Sequence, residues 1–297
     1  MSKRKSMPVA LTVAGSDSGG GAGIQADLKV FAALGVHGTT AITCLTAQNP
    51  KAVTGVEGCP PEFIVRQIEA VCSELPPAAI KTGMLYSARI VRRLVTCFKT
   101  MRPKNLVVDP VMVSTSGARL LEPAAVKILV RELLPMATLI TPNLDEVEVL
   151  LGDKPGNLEG MRDAARKLHD QFGCPVLVKG GHLRAAREAA DIFFDGHDEL
   201  LLTAPFVRGI NTHGTGCTYS AAISGYLALG LDLPNAVCQA KEFISEAIEA
   251  SRAIGRHTVL NPLAALESRG GRSRGKSGGL NIETACSKHP GSACGCA

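Results

Sequence analysis

The residues with the clearest chemical potential are four consecutive ones, Gly214, Thr215, Gly216 and Cys217. A helix-like run of small residues, Ala221–Leu229, follows them, which predicts that they lie at a helix N-terminus. The free N–H groups and the dipole of such a terminus bind anions and would stabilise a phosphoryl group during transfer. The same position predicts a lowered pKa for the Cys217 thiol. A glycine-rich helix start with a buried cysteine would give the same pattern without any function.

A second glycine-rich segment, Gly15–Asp27, follows an apolar run and opens a helix. It matches neither a Walker A loop nor the dinucleotide-binding G-x-G-x-x-G spacing. At about 100° per residue, Asp27 falls between Ile24 and Phe31 on the buried face of that helix. A carboxylate there must be paired or must face a polar cavity. The alternative is an acid in the first turns that favours the helix dipole.

Polar side chains also follow three predicted strands. Asp109 comes after Leu-Val-Val, Asn143 and Glu146 after the run that begins at Leu139, and Lys179 after Val-Leu-Val. In open α/β sheets such strand ends meet in one crevice. Carboxylate and amide oxygens suit Mg²⁺, and lysine suits a phosphate. Together with the anion site, these residues indicate a nucleotide-dependent phosphotransferase.

The elements that must position these residues alternate between short apolar runs and helix-length amphipathic segments. This pattern is typical of βαβ units around a sheet buried on both faces. The predicted strands are Val9–Val13, Gly38–Cys44, Ala79–Lys81, Leu106–Asp109, Leu139–Thr141 and Val176–Lys179. Two more runs, Ile192–Phe194 and Leu200–Leu202, flank Asp195-Gly196 and predict an antiparallel hairpin. The fold class is therefore α/β with a mainly parallel central sheet.

Composition and charge exclude several classes of protein. Of 297 residues, 45% are hydrophobic and 4% aromatic, which argues against disorder and against a base-stacking platform for nucleic acid. The net charge is +5, and residues 267–297 supply +3 of it, so the rest of the chain has no nucleic-acid footprint. No apolar run approaches the roughly 20 residues that span a bilayer, and the basic start lacks the apolar segment of a signal peptide. The ten cysteines are therefore expected to be reduced thiols in a cytoplasmic protein.

Seven motifs, taken in chain order, resemble those of the ribokinase superfamily, and more narrowly of the hydroxymethylpyrimidine/phosphomethylpyrimidine kinases. They are AGSDSGGGAGIQAD at 14–27, LTAQN at 45–49, KTGML at 81–85, VVDPVM at 107–112, TPNLDE at 141–146, VKGGH at 178–182 and NTHGTGCT at 211–218. The resemblance implies a three-layer αβα sandwich, a homodimer, and the use of ATP and Mg²⁺. It also implies two phosphorylations, of the hydroxymethyl aminopyrimidine and then of its monophosphate, in thiamine biosynthesis.

The resemblance divides the chain into three segments. Residues 1–7 are expected to be a flexible N-terminus, and residues 8–266 the ribokinase-like kinase domain. Residues 267–297, rich in Gly, Ser and Cys, are expected to be a disordered basic tail.

For the small-molecule substrate, the resemblance implies four contacts. Asp27 and Gln48 would hold the pyrimidine edge by hydrogen bonds, Met84 would line an apolar wall, and Gly15 would lie against the ring.

For ATP and the metal, the resemblance implies a second set of residues. Asp109 and Glu146 would serve the Mg²⁺ network, directly or through water. Asn143, Lys179 and Thr212 would contact phosphates. Gly214 to Cys217 would form the anion hole, in which Lys179 also assists catalysis and Cys217 activates the substrate hydroxyl.

One departure from the wider superfamily is Cys217, which stands where sugar kinases have an aspartate base. Pyrimidine kinases and some pyridoxal kinases share the cysteine, and we expect it to accept the proton late in the reaction. Two rival functions stay open: a pyridoxal kinase that uses the same site, and a non-catalytic pyrimidine-binding regulator. The polar segment Ser114–Arg119 is a candidate lid over the phosphates.

Overall fold

The computed structural model of the chain describes residues 6–112, 120–181, 183, 188–207 and 213–264, and the backbone of 281–286. The strands in these ranges are β1 Val9–Asp17, β2 His37–Gln48, β3 Val53–Gly58, β4 Ala79–Thr82, β5 Leu106–Val108, β6 Leu139–Ile140, β7 Val176–Lys179, β8 Glu188–Phe194, β9 Asp198–Pro205, β10 Arg252–Ile254, β11 His257–Val259 and β12 Asn281–Cys286. The helices are α1 Gly23–Ala33, α2 Pro61–Glu74, α3 Ala88–Met101, α4 Pro123–Ile128, α5 Leu144–Leu151, α6 Leu158–Phe172, α7 Thr215–Ala228 and α8 Leu233–Glu249. A π-helical turn, Leu129–Leu133, and a 3₁₀ turn, Leu134–Met136, extend α4.

Ten of these strands form one sheet in the order β12-β9-β8-β7-β6-β5-β4-β1-β2-β3. The central pairs from β2 to β7 are parallel. The outer pairs, β2 with β3 and β7 through β9 to β12, are antiparallel. The prediction of a mainly parallel sheet with an antiparallel hairpin at one end is confirmed.

Helices cover both faces of the sheet. On one face, α2 to α6 pack around a core that includes Ile64, Leu94 and Leu168. On the other, α1, α7 and α8 pack around a second core that includes Phe31 and Phe243. Burying apolar side chains on both faces gives the three layers of an αβα sandwich, which confirms the predicted α/β class.

The six predicted parallel strands all appear, with shifted ends. β1 continues past Gly15 to Asp17, and β2 extends to Gln48. β3 was not predicted, because its half-exposed, glycine-containing run lacks the continuous apolar pattern of a central strand. Six residues of the segment predicted to be a disordered tail, Asn281–Cys286, form β12 against β9. Backbone pairing to an edge strand needs no apolar pattern, so composition does not reveal it.

Helix α7 is the element that positions the site. Eleven of its residues, from Thr218 to Ala228, are buried, and small side chains let it pack closely against neighbouring elements. A Cβ at Gly225 would lie 2.6 Å from a methyl of Leu34, the residue after α1, so glycine lets α7 approach α1 without displacing that side chain. Among α1 to α8, all within the described residues, none has the length and apolar character needed to cross a bilayer.

Candidate active site

A cavity of about 690 Å³ opens at the carboxyl ends of the parallel strands, where α7 begins. Its lining contains most of the residues that the sequence singled out. They are Gly15, Gln48, Met84, Asp109, Asn143, Glu146, Lys179, Gly214, Thr215, Gly216 and Cys217. Residues scattered over some 200 positions of the chain therefore meet in one crevice, as expected for the strand ends of an open α/β sheet.

The start of α7 forms a cradle for an anion. Gly214 is the N-cap of the helix at φ +83°, and a Cβ there would lie 1.9 Å from the carbonyl oxygen of Gly21. Glycine is therefore required where the two glycine-rich loops meet. The Thr215 hydroxyl is buried beside the cavity without a hydrogen-bond partner. An unpartnered buried donor next to free helix N–H groups suits a phosphate oxygen.

A buried ion pair flanks this cradle. Lys179 Nζ donates to Asp109 Oδ1 at 2.8 Å, and a Cβ at Gly216 would lie 3.3 Å from the same Nζ. Thr141 and Ser220 donate to the Asp109 carboxylate at 3.1 and 3.2 Å. Burial opposes ionisation of Asp109, but Lys179 and the more distant Lys81 hold its pKa below the usual value. The carboxylate is therefore charged and fixed in orientation.

Glu146 and Asn143 form a capping box at the start of α5. Asn143 Oδ1 accepts from the Glu146 N–H at 2.9 Å, and Glu146 Oε2 accepts from the Asn143 N–H at 2.8 Å. Because the cap uses the amide oxygen of Asn143, a phosphate contact has to come from its amide nitrogen. A parallel bridge also sets Asn143 beside Lys179. Burial raises the pKa of Glu146 to about 8, so its carboxyl is largely protonated at neutral pH.

The donor set at this point fits Mg²⁺ held mainly by phosphates and water. The described residues contain no group of three or more His, Cys, Asp or Glu side chains that could hold a metal ion by themselves. Among the carboxyl groups that line the cavity, those of Asp109 and Glu146 interact electrostatically with each other. Mg²⁺ in phosphotransfer sites takes one or two carboxylates and fills its other positions with phosphate and water oxygens. A cation would also favour the ionised form of Glu146.

The other side of the cavity is flat and partly apolar. A Cβ at Gly15 would lie 2.8 Å from Cys44 Sγ and 3.6 Å from Met84 Sδ, so the bare backbone of Gly15 lies beside the Met84 thioether. The Gln48 side chain reaches this side, with its amide nitrogen 3.1 Å from His213 Nε2 and its oxygen 3.2 Å from the Thr46 hydroxyl. Such a surface suits an aromatic ring with polar atoms on one edge.

Asp27 is not part of the lining. It is fully buried, both its oxygens lie 2.9 Å from Lys81 Nζ, and Thr12 donates to it at 2.6 Å. The expectation from spacing, that a carboxylate on this face must be paired, is met by Lys81. That Asp27 holds the pyrimidine edge stays a prediction, and Lys81, which lines the cavity, contacts both of its oxygens.

The prediction of a lowered pKa for Cys217 is wrong. Burial raises the pKa of this thiol to about 11, and the nearby carboxylates of Asp27 and Asp109 add to the effect. The ammonium of Lys81 and the N–H of Gly23 act in the opposite direction without overcoming it. The desolvation of a thiolate therefore outweighs the helix N-terminus, and Cys217 is a thiol at neutral pH.

Three site residues were missed by sequence reasoning. Lys81 and His213 lie within quoted motifs without an assigned role, and Ser220 received none. A signal did exist for Lys81, because a lysine in a strand buried on both faces must have a partner. Thr212 and the candidate lid Ser114–Arg119 lie outside the described residues.

Beyond Lys179 the cavity continues into an apolar section. Its walls include Ala204 and Val207, near the end of β9, and Ile244 and Ile248 on α8. The side with Gly15 and Met84, the anion cradle and this section all line one cavity. An anion cradle in a cavity with room for further ligand groups, at the strand ends of an αβα sandwich, defines a nucleotide-dependent phosphotransferase.

Comparison with known proteins gives the same class and narrows it. The family described as phosphomethylpyrimidine kinase matches residues 17–261, and the chain belongs to this family. The hydroxymethylpyrimidine/phosphomethylpyrimidine kinases of Rhizobium meliloti and Synechococcus elongatus are 47% and 44% identical to it. Those alignments cover 82% and 84% of this chain and 91% and 95% of the relatives. The thiamine biosynthesis bifunctional protein ThiED of Geobacter sulfurreducens is 46% identical over 86% of this chain, which spans 52% of that longer protein.

Solved structures agree with this assignment. A phosphomethylpyrimidine kinase from Clostridium difficile is 44% identical and superimposes with a TM-score of 0.72, covering 81% of this chain and 99% of its own. The pyridoxal kinase from Staphylococcus aureus in complex with AMP-PCP and pyridoxal is 32% identical, with a TM-score of 0.82 over 95% of this chain and 100% of its own.

Proposed function

We propose that this protein transfers the terminal phosphoryl group of ATP to the hydroxymethyl group of an aminopyrimidine, and then to the resulting monophosphate, in thiamine biosynthesis. The observation that carries the proposal is the cradle at the start of α7. The unpartnered Thr215 hydroxyl and the bare Gly216 backbone border the cavity beside Lys179. Membership of the phosphomethylpyrimidine kinase family supports the same assignment.

In the proposed reaction the substrate hydroxyl oxygen attacks the terminal phosphorus of ATP. The new O–P bond forms as the bond from that phosphorus to the bridging oxygen breaks, and ADP leaves. The hydroxyl proton passes to the Cys217 sulfur in the small fraction of the enzyme in which that residue is a thiolate. The transfer comes late, because O–P bond formation must first make the hydroxyl acidic.

Charge stabilisation is the main contribution of this chain to the reaction. The N–H groups at Thr215 and Gly216 and the Lys179 ammonium surround the position where negative charge accumulates on the transferred group. Asp109 holds Lys179 in place through the 2.8 Å ion pair. Mg²⁺ bound near Asp109 and Glu146 would neutralise phosphate charge.

Substrate selection is assigned to the side of the cavity with Gly15 and Met84. The Gln48 side chain offers one acceptor and one donor group to a ring edge, while Gly15 and Met84 provide the flat and apolar surfaces. Asp27 acts through Lys81 in this proposal rather than by touching the ring.

Pyridoxal is a second candidate substrate, because the pyridoxal kinase that binds pyridoxal shares this fold at a TM-score of 0.82. Measuring kcat/KM for the pyrimidine and for pyridoxal with one preparation decides between them. If kcat/KM is higher for pyridoxal, then pyridoxal and not the pyrimidine is the main substrate.

The direct test is a coupled assay of ADP release, first with the hydroxymethyl aminopyrimidine and then with its monophosphate. We expect release that depends on each pyrimidine and is lost in Lys179→Met. Binding of the pyrimidine without any ADP release would instead favour the non-catalytic regulator.

We also propose a homodimer in the cytoplasm. The dimer follows from the resemblance to the kinase family, and Leu45 on β2, which is 51% exposed, is a candidate contact residue. None of the cysteines whose side chains the structure describes forms a disulfide, as in a reducing compartment. Light scattering during size-exclusion chromatography measures the oligomeric state, and Leu45→Lys should shift a dimer towards monomer.

A further inference from the structure

Lys81 is a fully buried lysine in the centre of the sheet. It lies on β4, its side chain has no solvent exposure, and its Nζ is 2.9 Å from both oxygens of an equally buried Asp27. Withdrawing two charges from water is unfavourable even when they pair, and an apolar pair of similar volume would serve the packing at least as well. A buried ion pair in this position therefore calls for a functional explanation.

The position of Lys81 points to the reacting end of the cavity. Lys81 lines the cavity, whereas Asp27 does not. A Cβ at Gly83 would lie 3.1 Å from Lys81 Nζ and 3.0 Å from the Cβ of Ala14, so glycine leaves room around the ammonium. Cys217 lines the same cavity, and its helix α7 packs against β4, the strand that carries Lys81. The ammonium therefore interacts electrostatically with the thiol.

We propose that Lys81, held by Asp27, is a positioning residue whose fixed positive charge stabilises negative charge on the sulfur of Cys217 during proton transfer. The inference deepens the proposed function, since it assigns a role in that reaction to a residue outside the anion cradle. Asp27 keeps Lys81 charged and directs its ammonium, while Thr12 holds the Asp27 carboxylate from the other side.

The charged groups around Cys217 come from four elements. Lys81 on β4 and Lys179 at the end of β7 are the cations, and Asp27 on α1 and Asp109 after β5 are the anions. Of these charges, Lys81 has the largest influence on the pKa of Cys217, and it lowers that pKa. The burial of the thiol makes this charge more important, because a thiolate in low dielectric has little solvent to stabilise it.

The test measures the thiolate of Cys217 directly, in the full chain without nucleotide, metal or pyrimidine. Iodoacetamide alkylation of Cys217 is followed by peptide mass spectrometry from pH 7 to pH 10. Because only the thiolate reacts, a rise of one unit in the pKa slows alkylation about tenfold below that pKa. Cys97, on α3, serves as the internal control in the same digests.

Two variants are compared with the unchanged chain. Lys81→Met removes the cation, and we expect alkylation of Cys217 at pH 8 to be about tenfold slower or more, with Cys97 unchanged. Asp27→Asn with Lys81→Met removes both charges and leaves no unpaired buried ion, so it tests the same point if the single variant does not fold. Because Lys81 lowers the pKa of Cys217 more than Asp27 raises it, the double variant should also react more slowly than the unchanged chain.

An unchanged rate for Cys217 in a folded variant, within about twofold, would overturn the role of Lys81. The kinase assay separates this failure from that of the proposed function. Without ADP release from the unchanged chain, the proposed function fails although the alkylation result stands. With ADP release, Lys81→Met should reduce kcat much more than it changes KM, whereas a residue that only shapes the pocket would change KM.

Discussion

The contact between the two glycine-rich loops is open to a sharp test at Gly214. In Gly214→Ala the new methyl would lie 1.9 Å from the Gly21 carbonyl oxygen, in a backbone conformation of φ +83°. Gly152, the residue after α5, has the same φ of +83°, and a Cβ there would meet nothing within 4 Å. Gly152→Ala therefore imposes the same backbone strain without the contact, and the comparison isolates the effect of the contact.

The expected magnitudes follow from this geometry. An alanine at positive φ costs about 1–2 kcal/mol, which lowers Tm by roughly 2–8 °C in a domain of this size. Gly152→Ala should show this loss alone and keep its kinase activity. In Gly214→Ala one loop must also move by about 1 Å to relieve the contact, and such a displacement of catalytic groups reduces rates on the order of 100-fold. The forced repacking adds about 1–3 kcal/mol of destabilisation.

The assay combines thermal unfolding with kcat/KM for the aminopyrimidine at saturating ATP. We expect Gly214→Ala to lose about two orders of magnitude in kcat/KM while it remains folded at 25 °C. If it instead matches Gly152→Ala in both Tm and kcat/KM, the close contact of the loops does not shape the anion cradle, and the proposed geometry is refuted.

Three further outcomes are expected. Because Cys217 is a thiol with a pKa of about 11, kcat/KM should rise by up to about tenfold per pH unit from pH 7 to pH 9. Cys217→Ala should lose this slope, and a slope that persists in this variant would show that another group is the base. Burial raises the pKa of Glu146 from 4.5 to about 8, so the folded state binds the extra proton between these values and its free energy of unfolding falls as the pH rises. In Glu146→Gln, urea titrations should show a smaller fall of the free energy of unfolding with rising pH. An equal fall in this variant and in the unchanged chain would contradict the raised pKa. Gly15→Ala should raise KM because its methyl would lie 2.8 Å from Cys44 Sγ, and adding Cys44→Ala should restore KM if that contact is the cause.

The central architecture could be predicted from local patterns. Runs such as Leu106–Val108 and residues 176–178 are continuously apolar because strands covered on both faces meet no water, and this pattern needs no knowledge of the partners. The apolar runs also show where each strand ends. Because Asp109 and Lys179 directly follow such runs, their convergence at one edge of the sheet could be predicted. The edge strands β3 and β12 could not be predicted, because they are held by backbone pairing, which requires no particular type of side chain.

The electrostatic character of the site depended on the folded chain. Position at a helix start predicted an acidic thiol for Cys217, but the degree of burial and the charges that distant segments bring near the sulfur reversed the sign. The partner of Asp27 lies 54 residues away on another strand, so spacing showed that a partner was needed without showing which residue it was. Residue types and periodicity follow from the nearest neighbours along the chain, whereas desolvation and Coulomb interactions sum over everything nearby in space, and that sum exists only once the chain has folded.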